Sequence, residues 1–132
     1  MTDLKPFSGP IRILLVDDEE GFASTLAKRL ARRNFRVTSA PSGAEGIQAI
    51  RKQDFDVAVV DLKMEHMDGI EVLKIMKRMV PKMAVIMLTG HGSEDAATNA
   101  MTLGAYDYLT KPCDLEDLMI RIMDACKREE GK

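Results

Sequence analysis

The chain has 132 residues, of which 45% are hydrophobic and 30% charged, enough for one domain with a single buried core and too few for two. Its formal net charge of −2 argues against direct nucleic-acid binding, and no apolar stretch is long enough to cross a membrane. Residues 1–10 hold Asp3, Lys5, two prolines and a glycine, which excludes the apolar core of a signal peptide and reads as a short disordered arm.

The first apolar run, Ile11-Arg12-Ile13-Leu14-Leu15-Val16, reads as a buried strand and ends on the adjacent acids Asp17 and Asp18. A helix follows over about 19–33, with Phe22, Ala23, Leu26, Ala27 and Leu30 on one stripe and Asn34 at its end. The second strand is 36–40; Pro41-Ser42-Gly43 then breaks the chain before a helix over about 44–52. Gly46 inside that helix costs about 1 kcal/mol relative to alanine, which predicts the softest of the helices. Val57-Ala58-Val59-Val60 is the third strand and ends on Asp61. Asp68-Gly69 opens a helix over about 70–79, and Pro81 stops it. The fourth strand, 83–88, leads into Thr89. Ser93 has the hydroxyl to cap the next helix, Glu94 and Asp95 suit its first turn, and Gly104 ends it. The fifth strand, Tyr106-Asp107-Tyr108-Leu109, runs through Thr110 into Lys111-Pro112. Asp114 caps a last helix whose apolar stripe is Leu115, Leu118, Met119, Ile122 and Cys126, with Ile120 off the stripe and Met123 at its edge.

Five strands alternating with five helices require a parallel sheet covered on both faces, because right-handed crossovers place the helices there. The ten methionines read as adaptable core filler. Cys113 and Cys126 lie outside any CxxC or zinc spacing, which suits reduced thiols and a cytoplasmic location. His66 and His91 fall in loops. The cations Lys28, Arg29, Arg32, Arg33 and Arg36 form either a solvated helix face or a docking surface for an acidic partner.

In a doubly wound sheet the carboxyl edge of the strands is where ligands bind. This chain delivers three acids, one hydroxyl and one ammonium to that rim. Like charges converging there require a protonated acid or a cation, and an all-oxygen set suits Mg²⁺. Asp61 is placed to attack phosphorus and become an aspartyl phosphate, with Thr89 and Lys111 hydrogen-bonding the phosphoryl oxygens. The plainer readings are a helix N-cap for Asp17-Asp18 and a salt bridge for Lys111. No Gly-rich nucleotide loop, HExxH or Ser-His-Asp arrangement is present.

The stretches ILLVDDEE, VVDLKMEHMDGIEVL, VIMLTGHGS and GAYDYLTKP, in this order and spacing, resemble the receiver domain of two-component response regulators over nearly the whole chain. The resemblance implies a flavodoxin-like (βα)5 fold of strand order 2-1-3-4-5, with the domain over 11–129 and a tail over 130–132. It implies Asp61 as phosphoacceptor, Asp17 and Asp18 as metal acids and the Lys63 main-chain carbonyl as a further Mg²⁺ ligand. Thr89 would be the switch hydroxyl, Tyr108 the switch aromatic and Lys111 the phosphate-binding cation, with a cis bond before Pro112. The implied partners are a sensor histidine kinase or phosphotransfer domain, and an effector that is either a separate protein or a domain of a longer chain. The charge of a phosphoryl group, with Thr89 drawn toward it and Tyr108 turning inward, puts the expected readout on the face of helix four, strand five and helix five, as a phosphorylation-dependent homodimer or a partner site.

The chain departs from the family pattern at Glu65, where proline is common, and at Cys113, where an aromatic is common. An aspartyl-phosphate enzyme would need a second acid beside the nucleophile and a cap over its substrate, and the sequence offers neither. An unphosphorylated scaffold would lack one of the rim residues, and all are present. The expectation is a switch rather than an enzyme with an external substrate, with intrinsic Mg²⁺-dependent phosphotransfer from a donor onto Asp61 and slow self-dephosphorylation.

Overall fold

The computed structural model describes residues 9–90 and 92–130. The expected arm over 1–10 lies outside these except for exposed Gly9 and Pro10, and the tail over 130–132 lies outside them except for Glu130.

Five parallel strands, β1 (Arg12–Val16), β2 (Arg36–Ala40), β3 (Val57–Asp61), β4 (Ala84–Thr89) and β5 (Asp107–Thr110), form one sheet of order β2-β1-β3-β4-β5. The helices are α1 (Glu20–Arg32), α2 (Gly43–Lys52), α3 (Gly69–Met79), α4 (Glu94–Thr102) and α5 (Leu115–Glu130). This is the doubly wound architecture expected from the alternation.

Successive strand residues point to opposite faces, and each face has its own core. Ile13, Leu15, Val57, Val59, Ile86, Leu88 and Leu109 pack with Ala23, Leu26 and Leu30 of α1 and Leu118 and Ile122 of α5. Leu14, Val16, Ala58, Val60, Val85 and Met87 pack on the other side with Val72, Leu73 and Met76 of α3 and Ala100 of α4. Burial on both faces is why these strands read as unbroken apolar runs rather than alternating ones.

The caps are mostly those the sequence signals. Asp68 accepts from the Glu71 amide (3.0 Å), Ser42 from the Glu45 amide (3.1 Å) and Asp114 from the Asp117 amide (3.2 Å). Asn34 adopts a left-handed φ of 73° after α1, and Gly104 one of 108° after α4. Ser93 departs from expectation. It occupies the N-cap position of α4 but makes no side-chain cap hydrogen bond, with ψ near 24° rather than extended, and its side chain is buried instead.

Gly46 has a packing role as well. An added Cβ would stand 2.8 Å from Val16 Cγ2, so this glycine admits α2 against β1 rather than simply weakening the helix. We expect Gly46→Ala to destabilise by about 1–2 kcal/mol despite its propensity gain, because overpacking outweighs the gain. Chemical denaturation would check this; a more stable variant would show that Val16 yields freely.

The methionines divide. Met76, Met83 and Met87 are core residues, whereas Met79, Met101 and Met123 are exposed. On α5, Ile120 (64% exposed) and Met123 stand off the packed stripe as expected. The five cations around α1 are exposed, and Arg33 reaches Glu116 of α5 at 3.2 Å, so that residue belongs to an interhelix pair.

Candidate functional site

The β-sheet register brings the rim together. Val16 pairs with Ala40 and Val60, Asp61 with Leu88, and Thr89 with Thr110. The last residues of β1, β3, β4 and β5 therefore finish at one level, and the loops that follow open onto a shared depression.

Asp17 and Asp61 are buried there. One Asp17 oxygen accepts from the Glu19 amide at 2.9 Å, a local turn bond ahead of α1; the N-cap position is Glu19 and no side chain caps the helix, so the plain capping reading fails for Asp17 and Asp18. The other lies 3.2 Å from Lys111 Nζ, and an Asp61 oxygen lies 3.5 Å from the same nitrogen. Lys111 also bonds Glu19, and its ammonium sits 4.3 Å from the Phe22 ring centroid. The Lys111–Pro112 bond is cis, and the Lys111 amide donates to the Thr89 carbonyl at 2.7 Å.

Among the described residues, Asp17, Glu19 and Asp61 bring carboxylate oxygens within 4.8 Å of one another. One ammonium against three carboxylates leaves negative charge uncompensated, and hard oxygen donors at this spacing fit a small divalent cation. Burial, reinforced by Asp17, raises the Asp61 carboxyl to about 6, although Lys111 and the Lys63 amide oppose the shift. Burial by itself would lower the Lys111 ammonium, but Glu19, Asp17 and Asp61 outweigh it and leave Lys111 raised and charged.

The other sequence-marked residues are placed less directly. Asp18 is turned to the β3–α3 loop, where it accepts from the Glu65 amide at 3.0 Å. Thr89 is buried, and its hydroxyl points to the Leu109 carbonyl at a long 3.5 Å. Tyr108 packs against the core on the α3–α4 side of the sheet. Glu19 is the residue the sequence reading passed over; its only signal was the third acid in Asp17-Asp18-Glu19. Exposed His66 stands 3.9 Å from Glu65, and His91 lies outside the described residues. Burial raises the Cys113 thiol, which makes it a poor nucleophile. Neither cysteine is in a disulfide. No helix among the described residues is long and apolar enough to cross a membrane.

Residues 13–123 match the family model described as the response regulator receiver domain. The chain belongs to the response regulator receiver family. Among curated relatives, the transcriptional regulatory protein GlrR of Escherichia coli is 38% identical over 119 residues, covering 90% of this chain and 27% of that protein. The photosynthetic apparatus regulatory protein RegA of Cereibacter sphaeroides is 38% identical over 106 residues, covering 80% of this chain and 58% of that one. The receiver thus spans about a quarter of the length of GlrR and rather more than half that of RegA. Among solved structures, a response regulator receiver domain protein from Clostridium thermocellum superposes with a TM-score of 0.88 at 37% identity, covering 91% of this chain and 97% of that one. A CheY-like receiver from Methanospirillum hungatei gives 0.88 at 29% identity, covering 93% and 98%. The receiver family binds Mg²⁺ at an acidic pocket and signals with histidine kinases and effector domains.

Proposed function

We propose that this receiver is a phosphoacceptor switch in which Asp61 takes a phosphoryl group from a phosphohistidine on a sensor kinase or phosphotransfer domain. The observation that carries this is the buried Asp61 carboxylate at the sheet's carboxyl edge, beside Asp17 and with the Lys111 ammonium 3.5 Å away. An Asp61 oxygen forms the new O–P bond as the donor's N–P bond breaks, and the electron pair leaves with the imidazole nitrogen. Lys111 and the Thr89 hydroxyl hold the phosphoryl oxygens through charge-assisted and neutral hydrogen bonds. Asp17, Asp18, Asp61 and the Lys63 main-chain carbonyl are the donors that would hold Mg²⁺, which supplies neutralisation of phosphoryl charge.

The weak 3.5 Å bond from Thr89 to the Leu109 carbonyl leaves that hydroxyl cheap to redirect toward a phosphoryl group. Its movement makes room for Tyr108 to turn inward, which alters the face of α4, β5 and α5, where Met101, Ile120 and Met123 are exposed. That face is the readout, through a homodimer, a partner protein or an effector domain of a longer chain. The donor, effector and cytoplasmic setting are part of the same reading, as is self-dephosphorylation by water.

Intact-mass measurement after incubation with acetyl phosphate and Mg²⁺ tests it. We expect one phosphoryl addition, absent in Asp61→Asn and strongly reduced in EDTA. Undiminished labelling of the variant, or equal labelling without metal, contradicts the reading.

A further inference from the structure

We propose that Glu19, with Phe22, forms a resting berth for Lys111 that the ammonium must quit when a phosphoryl group arrives on Asp61. The inference rests on the phosphoacceptor reading and adds a positioning residue to it.

Lys111 is anchored from the α1 side. Its side chain is only 14% exposed, and besides Asp17 and Asp61 it bonds Glu19, the N-cap residue of α1, while lying over the Phe22 ring. Aromatic faces attract ammonium groups, so Phe22 favours the same position. The Glu19 side chain is 62% exposed and accepts no backbone hydrogen bond among those of the described residues. Asp17, by contrast, receives the Glu19 amide as well as the ammonium. Glu19 therefore contributes little to the loop's own structure, and its contact is directed at Lys111.

A phosphoryl group carries roughly −1.5 to −2 charge and offers three strong acceptor oxygens. Once it is on Asp61 it competes with Glu19 for the same three ammonium protons. Glu19 consequently stabilises the unphosphorylated arrangement more than the phosphorylated one. A group that favours one state over the other shifts the equilibrium by that difference and no more. Because the pair is partly exposed, the shift is modest.

Beryllofluoride with Mg²⁺, a non-transferable phosphoryl mimic, separates this effect from chemistry. The wild-type protein, Glu19→Gln and Glu19→Asp are titrated at Mg²⁺ concentrations shown to saturate each, with binding read by heteronuclear NMR. Glutamine keeps the size but not the charge, whereas aspartate keeps the charge but is too short to span to Lys111. We expect both variants to bind beryllofluoride about two- to fivefold more tightly than wild type. Unchanged or weaker binding by Glu19→Gln overturns the berth. So does wild-type affinity in Glu19→Asp, which would assign the effect to charge alone. Failure of the wild-type protein to bind at all would instead overturn the phosphoacceptor reading on which the berth depends.

Discussion

Asp61→Asn is expected to make the metal-free protein more stable at neutral pH, by about 2–3 kcal/mol, while removing its phosphoacceptor. In the folded protein burial and the neighbouring Asp17 hold the Asp61 carboxyl at about 6, against an ordinary value of 3.8. A folded-state value raised above the unfolded one means that ionisation opposes folding. Below about pH 3.8 both states are protonated and the group costs nothing. Between 3.8 and about 6 the unfolded chain gives up its proton first, so the penalty grows as pH rises. Above about 6 it is fully present, at 1.36 kcal/mol per unit of displacement. The Asp61 side chain is 6% exposed, so solvent screens little of this. Asparagine has nearly the same shape and no charge, and Lys111 retains Asp17 and Glu19 as partners. Urea titrations in EDTA should show the two proteins nearly equal near pH 4 and separated at pH 7, with a melting difference of roughly 5–10 °C. An asparagine variant that is no more stable than wild type at pH 7 would mean that Lys111 already compensates Asp61 fully.

Gly69→Ala is expected to destabilise by more than about 3 kcal/mol and to impair phosphorylation with it. Gly69 opens α3 directly behind the acceptor strand, and its amide donates to the Leu62 carbonyl at 2.8 Å. An added Cβ would collide with the Asp61 carbonyl oxygen and stand 2.7 Å from Leu62 Cα. Both obstacles are backbone, held in the sheet by the Asp61–Leu88 pairing and the Leu62-to-Leu88 hydrogen bond, so neither can swing aside as a side chain would. The strain falls on the residue proposed to carry the chemistry. Gly21→Ala is the matched control. It lies inside α1 with nothing within 4 Å of the added atom, and should stabilise by up to about 1 kcal/mol. Comparable stability of Gly69→Ala and wild type in denaturation would show that α3 can shift away from β3.

The parts of this molecule legible in its sequence are those fixed by local pattern. Apolar runs such as Val57 to Val60 announce buried parallel strands, and the polar residue after each run marks the carboxyl edge. Asp17, Asp61, Thr89 and Lys111 can be gathered at one rim from the sequence because a parallel sheet leaves nowhere else for strand ends to go. What escaped was set by contacts between distant segments. Gly46 looked like a helix weakness because its close neighbour, Val16, lies thirty residues back in the chain. Ser93 looked like a capping hydroxyl, but its backbone angles do not present the side chain to the first turn. Glu19 carried no mark of its own, since its partner Lys111 arrives from the opposite end of the sequence. Asp18 showed its acidity but not its aim, because the Glu65 amide that holds it belongs to a loop whose course no local signal records.

Chemical trapping locates the residue on which phosphoryl transfer ends, here expected to be Asp61. Borohydride reduces an acyl phosphate to the alcohol, so an aspartyl phosphate becomes homoserine at the modified position. Protein labelled with acetyl phosphate and Mg²⁺, reduced and sequenced by tandem mass spectrometry, should carry homoserine at position 61 and nowhere else. Homoserine at 17 or 18, or a phosphoryl group that survives reduction on a hydroxyl or imidazole, would contradict it.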